Sequence, residues 1–294
     1  MAKTTFSGPV RSENGFKLIS KTASTGLISD RTVHDLGIKD TRRYYLEEYF
    51  AQLPGLNGDL ASTTESTNTP VSRNFEVLGT NHTSALATYS ATVAGMAMTT
   101  ATADQDRMIV APHLDTKQTA WTGTEWGTEN QVHWECGIRT SAAIDNQLIW
   151  AGLKLTNVVE GATDDDQAFF TFATDSSNAG TAFSDFTLLH FIHSIAGTDY
   201  ISALPITVAA STNYHLKIVF DSDRKVSIFV DGVQYNITST AGSTGGTSVT
   251  TGTTKSAAMT DDVNLIPYIG IENGDAAAAV LNVQYEAISR LIFE

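Results

Sequence analysis

Short runs of alternating apolar and polar residues recur along most of the chain, and they predict a protein built mainly of β-strands. Between residues 74 and 294, ten runs of strand length are separated by residues typical of turns. These runs are 75–78, 108–111, 133–138, 148–155, 168–173, 187–193, 214–220, 226–230, 265–271 and 280–293. Because no helical segments alternate with the strands, the pattern predicts a mainly β, two-sheet antiparallel sandwich of the jelly-roll type.

The clearest unit is the segment 213–237, which predicts three strands joined by tight turns. Apolar and polar residues alternate along its first two runs, which flank the polar residues 221–223. Asp231-Gly232 supplies the second turn, since this pair suits backbone positions with positive φ. The segment therefore predicts a meander of antiparallel strands. The Gly- and Thr-rich stretch 242–254 predicts an exposed loop.

A different period precedes the strands and predicts a short amphipathic helix. Its apolar residues recur at the spacing of one helix face: Tyr45, Leu46, Tyr49, Phe50 and Leu53. The chain is accordingly divided into an extended N-terminal arm (1–39), a short helix with a polar linker (40–73) and a sandwich domain (74–294). The aromatic residues Tyr45, Tyr49 and Phe50 are the candidate contact with another subunit or with a shell; packing on the protein's own core is the alternative.

Charge is distributed unevenly along the chain. The net charge is -14, but residues 1–45 carry +4, so the remainder carries -18. A basic arm on an acidic body predicts an anionic protein partner for the arm and argues against nucleic acid as a partner for the body. No window reaches the roughly 18 apolar residues of a membrane span, and the single Cys136 excludes an internal disulfide.

Two stretches resemble known families. Residues 214–218, the turn DSDRK and residues 226–233 together resemble the hairpin of the concanavalin A-like (laminin G-like) jelly roll. The blocks WTGTEWGTENQVHWECGIRTS (121–141) and LIWAGLKLT (148–156) are similar to the central sheet of the same superfamily. This resemblance covers residues 74–294 and implies the fold, whereas the ligand stays open because the fold serves lectins, hydrolases and structural modules.

The opening MAKTTFSGPVRSENGF is similar to the openings of virion structural proteins of tailed phages of aquatic bacteria. The two resemblances imply a capsid decoration protein on the outer surface of the virion, made in the host cytoplasm. Its partner would be the major capsid protein or another virion protein, and it would be a homo-oligomer such as a trimer. The candidate shell-docking residues are Phe6, Arg11, Phe16, Lys17, Arg31, Arg42 and Arg43. The alternative is a receptor-recognition or fibre domain that binds host surface polysaccharide.

No arrangement of residues predicts catalysis. Glu125 and Glu129 come nearest to the paired carboxylates of glycoside hydrolysis, but Gly127 stands where hydrolases of the resembled superfamily carry an Asp. His190 and His193 lie three apart on a predicted strand, so they should point to opposite faces and share no metal ion. The sequence therefore predicts that the protein is not an enzyme.

Two sets of residues are candidates for ligand binding. Trp121 and Trp126 lie in a Gly- and Thr-rich stretch and could stack on sugar rings, although capping one end of the sandwich is the alternative; Trp134 and Trp150 are predicted to be core. Loop carboxylates of the kind that Ca²⁺ prefers cluster at three places, and ordinary turn chemistry is their alternative. No cofactor is predicted, and calcium is kept as an open question at 164–166, 221–223 and 261–262.

Overall fold

The computed structural model describes most of the sandwich and a few short stretches before it. The described residues are 18–21, 28–31, 42–50, 57–58, 75–82, 86–90, 93–112, 125–156, 164–174, 183, 185–250 and 252–292. Within them the chain forms nineteen strands, numbered β1 to β19 in chain order, and a single turn of 3-10 helix at Thr128–Asn130. Among these residues, no helix has the length and apolarity needed to cross a bilayer.

Ten strands form one sheet, in the order β1-β2-β16-β15-β14-β9-β19-β7-β6, with β3 also paired to β19. Their bounds are β1 Leu18–Lys21, β2 Ile28–Arg31, β3 Arg43–Glu48, β6 Ala87–Tyr89, β7 Met96–Thr99, β9 His133–Thr140, β14 Asn213–Phe220, β15 Val226–Val230, β16 Val233–Tyr235 and β19 Val280–Leu291. All pairs in this sheet are antiparallel. β19 is its longest strand and pairs with β9 on one side and with β7 and β3 on the other.

Nine strands form the second sheet, in the order β17-β13-β12-β11-β10-β18-β8-β5-β4. Their bounds are β4 Asn57–Gly58, β5 Phe75–Leu78, β8 Arg107–Pro112, β10 Gln147–Lys154, β11 Gln167–Ala173, β12 Leu188–Ile195, β13 Thr198–Thr207, β17 Gly242–Ser248 and β18 Ile266–Asn273. Two edge pairs, β13 with β17 and β4 with β5, are parallel. The two sheets pack face to face, which confirms the predicted jelly-roll sandwich.

All ten strands predicted from alternation are present, with bounds that differ by a few residues. The meander is confirmed as well: β14, β15 and β16 pair in succession. Asp231 and Gly232 have φ of 50° and 76°, the left-handed conformations that the turn between β15 and β16 requires. The domain boundaries drawn from the sequence stay predictions.

Two sequence predictions are wrong. The helix predicted between residues 40 and 53 is strand β3 at 43–48, and the loop predicted at 242–254 contributes strand β17. The six residues of β3 are too few to separate the helical period from the two-residue period of a strand. In the structure Tyr44 and Leu46 point toward the core, and the residues between and beside them point away from it. Pairing with the second half of β19 satisfies the backbone of β3, and this long-range bonding overrides the local preference.

The carboxyl group of Glu286 is buried in the core between the sheets. Glu286 lies on β19 opposite Cys136 of β9, is 5% exposed and accepts a hydrogen bond from Trp134 Nε1 at 2.8 Å. Burial raises the pKa of Glu286 to about 7, although the bond from Trp134 acts in the opposite direction. Burial, together with the charges of Glu286 and Glu135, also raises the pKa of the Cys136 thiol.

Glu286 arrives in the core through a β-bulge. Leu281 and Val283 of β19 belong to the core, and strict alternation would next turn residue 285 inward. The pairing with β9 instead shifts between Val283 and Tyr285, leaving Gln284 as the extra residue. The alternation is thereby reversed, so that Glu286 points inward and Tyr285 points outward.

We predict that replacing Glu286 with Gln removes a pH-dependent loss of stability. The folded protein holds a proton on Glu286 that the unfolded chain releases above its ordinary pKa, so the stability is complete below about pH 4.5 and falls as pH rises through about 7. Glu286→Gln should be more stable than the parent by about 3 kcal/mol at pH 8 and equally stable at pH 4. Urea unfolding at a series of pH values measures the difference.

The matched control is Glu125→Gln, because Glu125 is exposed. It should follow the parent at every pH. A pH profile of Glu286→Gln that runs parallel to that of the parent would contradict the prediction.

Candidate functional site

The outer face of the ten-stranded sheet carries a group of polar and aromatic side chains at its centre. Trp134, Cys136 and Ile138 of β9 point into the core. Glu135 and Gly137 alternate with them along the strand and therefore lie on the outer face of the sheet. The register places His215 of β14 beside Gly137 on one side and Tyr285 of β19 on the other. We call the group Tyr49, Glu135, Gly137, His215, Lys217 and Tyr285 the tyrosine face.

Two neighbouring tyrosine rings lie on this face, and Tyr49 is its most exposed residue. Tyr49 follows β3 and is 58% exposed, and its ring centroid lies 6.0 Å from that of Tyr285 at an interplanar angle of 30°. The Tyr285 ring lies over Gly137, where an added Cβ would be 2.6 Å from it. His215 completes the aromatic row, with its ring centroid 5.9 Å from that of Tyr285. The absence of a side chain at Gly137 therefore makes room for a ring that stands against the sheet.

A carboxylate anchors the charged half of the tyrosine face. Glu135 is 8% exposed, and its Oε2 lies 3.3 Å from His215 Nε2 and 3.7 Å from Lys217 Nζ. His215 also receives support from the neighbouring turn, since its backbone N–H donates to Asp231 Oδ1 at 2.9 Å. Burial and the charge of Glu135 raise the pKa of Tyr285, so its phenol stays protonated and can donate a hydrogen bond.

Chemically, this arrangement suits a ligand that has both an apolar face and hydroxyl groups. An aromatic ring offers a flat apolar surface, and the adjacent imidazole, phenol and carboxylate groups offer donors and acceptors. Pyranose sugars have these two properties. The side chains are preorganised, because Glu135 fixes the positions of His215 and Lys217 through the contacts described above.

The outer face of the other sheet is different, because its central side chains are buried. Trp150 and Tyr268 stack at 6.1 Å and are 1% and 0% exposed, and Lys154 Nζ lies 5.0 Å from the centroid of the Tyr268 ring. Lys154 is also 3.9 Å from Asp164. Trp134 lies between the sheets and Trp150 lies in this second buried cluster, so both are core residues as predicted.

The three aromatic residues proposed as a subunit or shell contact have different environments. Tyr49 is exposed and Tyr45 is half-buried, so both are open to a partner, and their contact role stays a prediction. Phe50 is 0% exposed and packs 5.2 Å from Phe75. Phe50 therefore belongs to the core, in agreement with the alternative given for this aromatic group.

The two tryptophans proposed for glycan binding are not part of an exposed platform in the described residues. Trp126 is 2% exposed and packs 5.9 Å from Tyr44, so the prediction of an exposed Trp126 is wrong. The reason is that its segment lies at the sandwich edge, where Gly127 bridges to Asn264 and the apolar ring is covered. Trp121 lies outside the described residues.

The arm residues are only partly described. Arg31 lies in β2, Arg42 is exposed, and Arg43 donates from Nε to Ser289 Oγ at 3.2 Å. The remaining shell-docking residues lie outside the described residues: Phe6, Arg11, Phe16 and Lys17. Docking by these side chains stays a prediction.

His190 and His193 lie on β12 with opposite orientations, as the odd spacing predicts. His190 stacks on Phe183 with 4.2 Å between ring centroids, and His193 stacks on Tyr200 at 4.7 Å. Burial lowers the pKa of each imidazole to about 4. Both are therefore neutral core histidines at neutral pH.

The acidic clusters considered for calcium have protein partners. Asp164 accepts backbone bonds from Leu155 and Thr156 at 2.9 Å each. Asp221 accepts from the backbone of Asp223 and pairs with Lys255. The carboxylates of Glu129, Asp261 and Asp262 lie within 4.8 Å of one another, and Asp261 also pairs with Arg224 at 3.3 Å. These bonds match the turn chemistry given as the alternative.

Sequence reasoning missed the tyrosine face, although part of its signal is visible. Tyr285 and His215 were assigned only to strands, and Glu135 and Lys217 were not singled out. The alternation in HWECGIRT does place Glu135, Gly137 and Arg139 opposite the apolar residues. The pairing of β9 with β14 and β19, which brings these residues together, has no local signal.

Comparisons with known proteins give likenesses of fold alone. No protein-family model matches the chain, and no curated protein matches it. Among solved structures, the chain is similar to a protein of unknown function from Shewanella oneidensis MR-1, at 12% identity over 88% of this chain and 92% of that chain, with a TM-score of 0.48. It is also similar to the carbohydrate recognition domain of Emp47p, at 7% identity over 77% and 92%, with a TM-score of 0.45. Alginate lyase A1-II', a member of polysaccharide lyase family-7, is similar at 12% identity over 72% and 86%, with a TM-score of 0.43.

These comparisons bear on two expectations from the sequence. The predicted two-sheet jelly-roll sandwich is confirmed by the two sheets themselves. The prediction that the chain is not an enzyme is corrected, because the solved structures similar to it include alginate lyases. The fold therefore does not support excluding enzymatic activity. None of the three proteins named is described as a virion protein. The expected role as a capsid decoration protein therefore remains a prediction.

We predict that Gly137→Ala displaces the Tyr285 ring. The added methyl group would lie 2.6 Å from ring atoms, and the ring has no flexible end that could yield. We expect a loss of about 1–3 kcal/mol in unfolding free energy and an altered tyrosine signal in near-UV circular dichroism. Gly242→Ala is the control, since an added Cβ at Gly242 meets no atom within 4 Å. An unchanged tyrosine signal in Gly137→Ala would contradict the close packing of Tyr285 on the sheet.

Proposed function

We propose that the sandwich binds carbohydrate through the tyrosine face. The observation that carries this proposal is the exposed Tyr49 ring, held against Tyr285 beside a hydrogen-bonded histidine and carboxylate. The Tyr49 and Tyr285 rings lie side by side and form a continuous aromatic surface, and contiguous exposed apolar surface marks candidate binding sites. A sugar ring stacked there would cover the tyrosine rings. Its hydroxyl groups would replace water as hydrogen-bond partners of Glu135 and His215.

The electrostatics of the face support a polar ligand of moderate size. Glu135 Oε2 lies between Lys217 Nζ and His215 Nε2, so its negative charge is balanced by the neighbouring lysine. The Tyr285 phenol is protonated at neutral pH and can donate a hydrogen bond, and burial raises its pKa further. Stacking and a small number of fixed hydrogen bonds are the usual combination in sites that recognise small polar ligands.

We predict that Tyr49→Ala lowers glycan affinity by about tenfold or more, because the stacking surface is lost. The measurement is a glycan array of bacterial surface polysaccharides, followed by titration calorimetry with the strongest ligand. Folding should be unaffected, since Tyr49 is 58% exposed.

Tyr89→Ala is the matched control, because Tyr89 is also exposed, at 53%, but lies on β6 at the edge of the same sheet. It should bind like the parent. Equal affinity in the parent and Tyr49→Ala, or no binding of any glycan by the parent, would refute carbohydrate binding by this face.

We also propose that the protein decorates a virion, docked on the major capsid protein or another shell protein by its basic arm. The specific observation that favours this role is the change from +4 over residues 1–45 to -18 over the rest. The arm can pair with shell carboxylates while acidic bodies repel one another and stay apart. A homo-oligomer such as a trimer on the outer capsid surface fits this arrangement, and glycan binding by a projecting sandwich is compatible with it.

We predict that the double variant Arg11→Glu with Lys17→Glu no longer sediments with empty phage shells, because the net charge of residues 1–45 falls from +4 to zero. The control is Lys225→Glu with Lys255→Glu, which makes the same change in net charge on the body at two partly exposed lysines. The control should sediment like the parent. Loss of sedimentation in both doubles, or in neither, would argue against docking through the arm.

A further inference from the structure

One end of the tyrosine face is a row of three polar side chains on neighbouring strands. Arg139 of β9 is paired in register with Asn213 of β14 on one side and with Asn282 of β19 on the other. All three alternate with core residues and therefore share the outer face of the sheet. Directly opposed residues on neighbouring strands have Cβ atoms about 5 Å apart, so the three side chains can reach one ligand group.

Arg139 differs from most other arginines of the sandwich. Arg107 is bonded to Glu272, Arg224 to Asp261, and Arg290 to the backbone oxygen of Glu125. Within the described part of the chain, the Arg139 guanidinium has neither a hydrogen bond nor an ion pair, and it is half-buried. A chain with 32 acidic and 18 basic residues offers many carboxylates, so an arginine that pairs with none of them is available to an outside anion.

The neighbouring amides are oriented to assist. Gln284, the extra residue of the β19 bulge, directs Nε2 toward Asn213 Oδ1 at 3.5 Å. The Asn213 oxygen is thereby occupied as an acceptor, and its NH₂ group is left to donate. A planar guanidinium beside amide donors is the arrangement that binds carboxylate or sulfate oxygens with two parallel hydrogen bonds.

The distance to the tyrosines suits one sugar unit. Arg139 and Gly137 are two residues apart on the same strand, which corresponds to about 7 Å. A pyranose ring stacked beside Tyr285, which covers Gly137, would have its substituents within reach of the long Arg139 side chain. Lys217 is the other cation of the face, but it is held by Glu135 at 3.7 Å and its side chain is 10% exposed.

We propose that Arg139, with Asn213 and Asn282, forms an anion subsite of the tyrosine face, which takes the carboxylate or sulfate group of an acidic glycan. This inference rests on the proposed carbohydrate-binding function and makes it specific to glycans that carry an anionic substituent. Neutral glycans would use only the stacking surface and the Glu135–His215 pair. Acidic glycans would add a charge-assisted contact that weakens as salt is raised.

The experiment compares matched probes on the full chain: uronic-acid oligosaccharides, the same oligosaccharides after reduction of the carboxyl groups, and sulfated forms of the reduced ones. Arg139→Gln should bind the acidic probes about tenfold or more weakly than the parent and the reduced probes within twofold. Arg139→Lys, which keeps the charge without the planar fork, should be intermediate. Lys225→Gln is the control for loss of one positive charge, at a partly exposed turn residue.

Each outcome has a distinct meaning. Preference for uronic-acid probes that Arg139→Gln abolishes supports a carboxylate subsite, and the same result with sulfated probes alone supports a sulfate subsite. Equal parental affinity for acidic and reduced probes, or an equal loss of both in Arg139→Gln, overturns the anion subsite and leaves glycan binding standing. No binding of any probe by the parent overturns both proposals.

Discussion

The pairing of β9 between β14 and β19 is the constraint on which the rest of the molecule depends. A strand has a period of two, so one register decides both what enters the core and what reaches the surface. In β9 it places Trp134, Cys136 and Ile138 between the sheets and Glu135, Gly137 and Arg139 outside. A slip of one residue would expose the indole and bury the guanidinium, so the energy of core packing also holds the outer side chains in place.

The sandwich was predictable from the sequence because its signal is local. Each of the ten predicted strands carries its own alternation, and Asp231-Gly232 carries its own turn chemistry. The sequence predictions are wrong where pairing with a strand distant in the sequence determines the local structure. Residues 43–48 fit a helix face as well as a strand, and the free second half of β19 selects the strand. The Gly- and Thr-rich stretch at 242–248 has no apolar pattern, yet it pairs in parallel with β13 at the sheet edge.

The candidate site was less predictable than the fold. Tyr49, Gly137 and Tyr285 come from three separate parts of the chain, and only the sheet order brings them together. Aromatic content alone pointed to Trp126, which the fold covers. The local sequence of β9 predicts which face of the sheet each of its residues occupies. What could not be read was the identity of its neighbours, or the place where β19 departs from simple alternation.

The β-bulge of β19 determines both a core residue and a surface residue, because one extra residue reverses the side of the sheet that each following residue faces. If Gln284 were paired in the ladder like its neighbours, the two-residue period would carry the Tyr285 ring inside and leave the Glu286 carboxyl in water. The buried Glu286 carboxyl and the outward Tyr285 ring thus both result from this bulge. A shift of register that moves one of them to the other side of the sheet also moves the other. Deleting Gln284 would therefore remove the bulge and leave both side chains where they are, whereas pairing Gln284 into the ladder would exchange an acidic core and an aromatic surface for an aromatic core and an acidic surface.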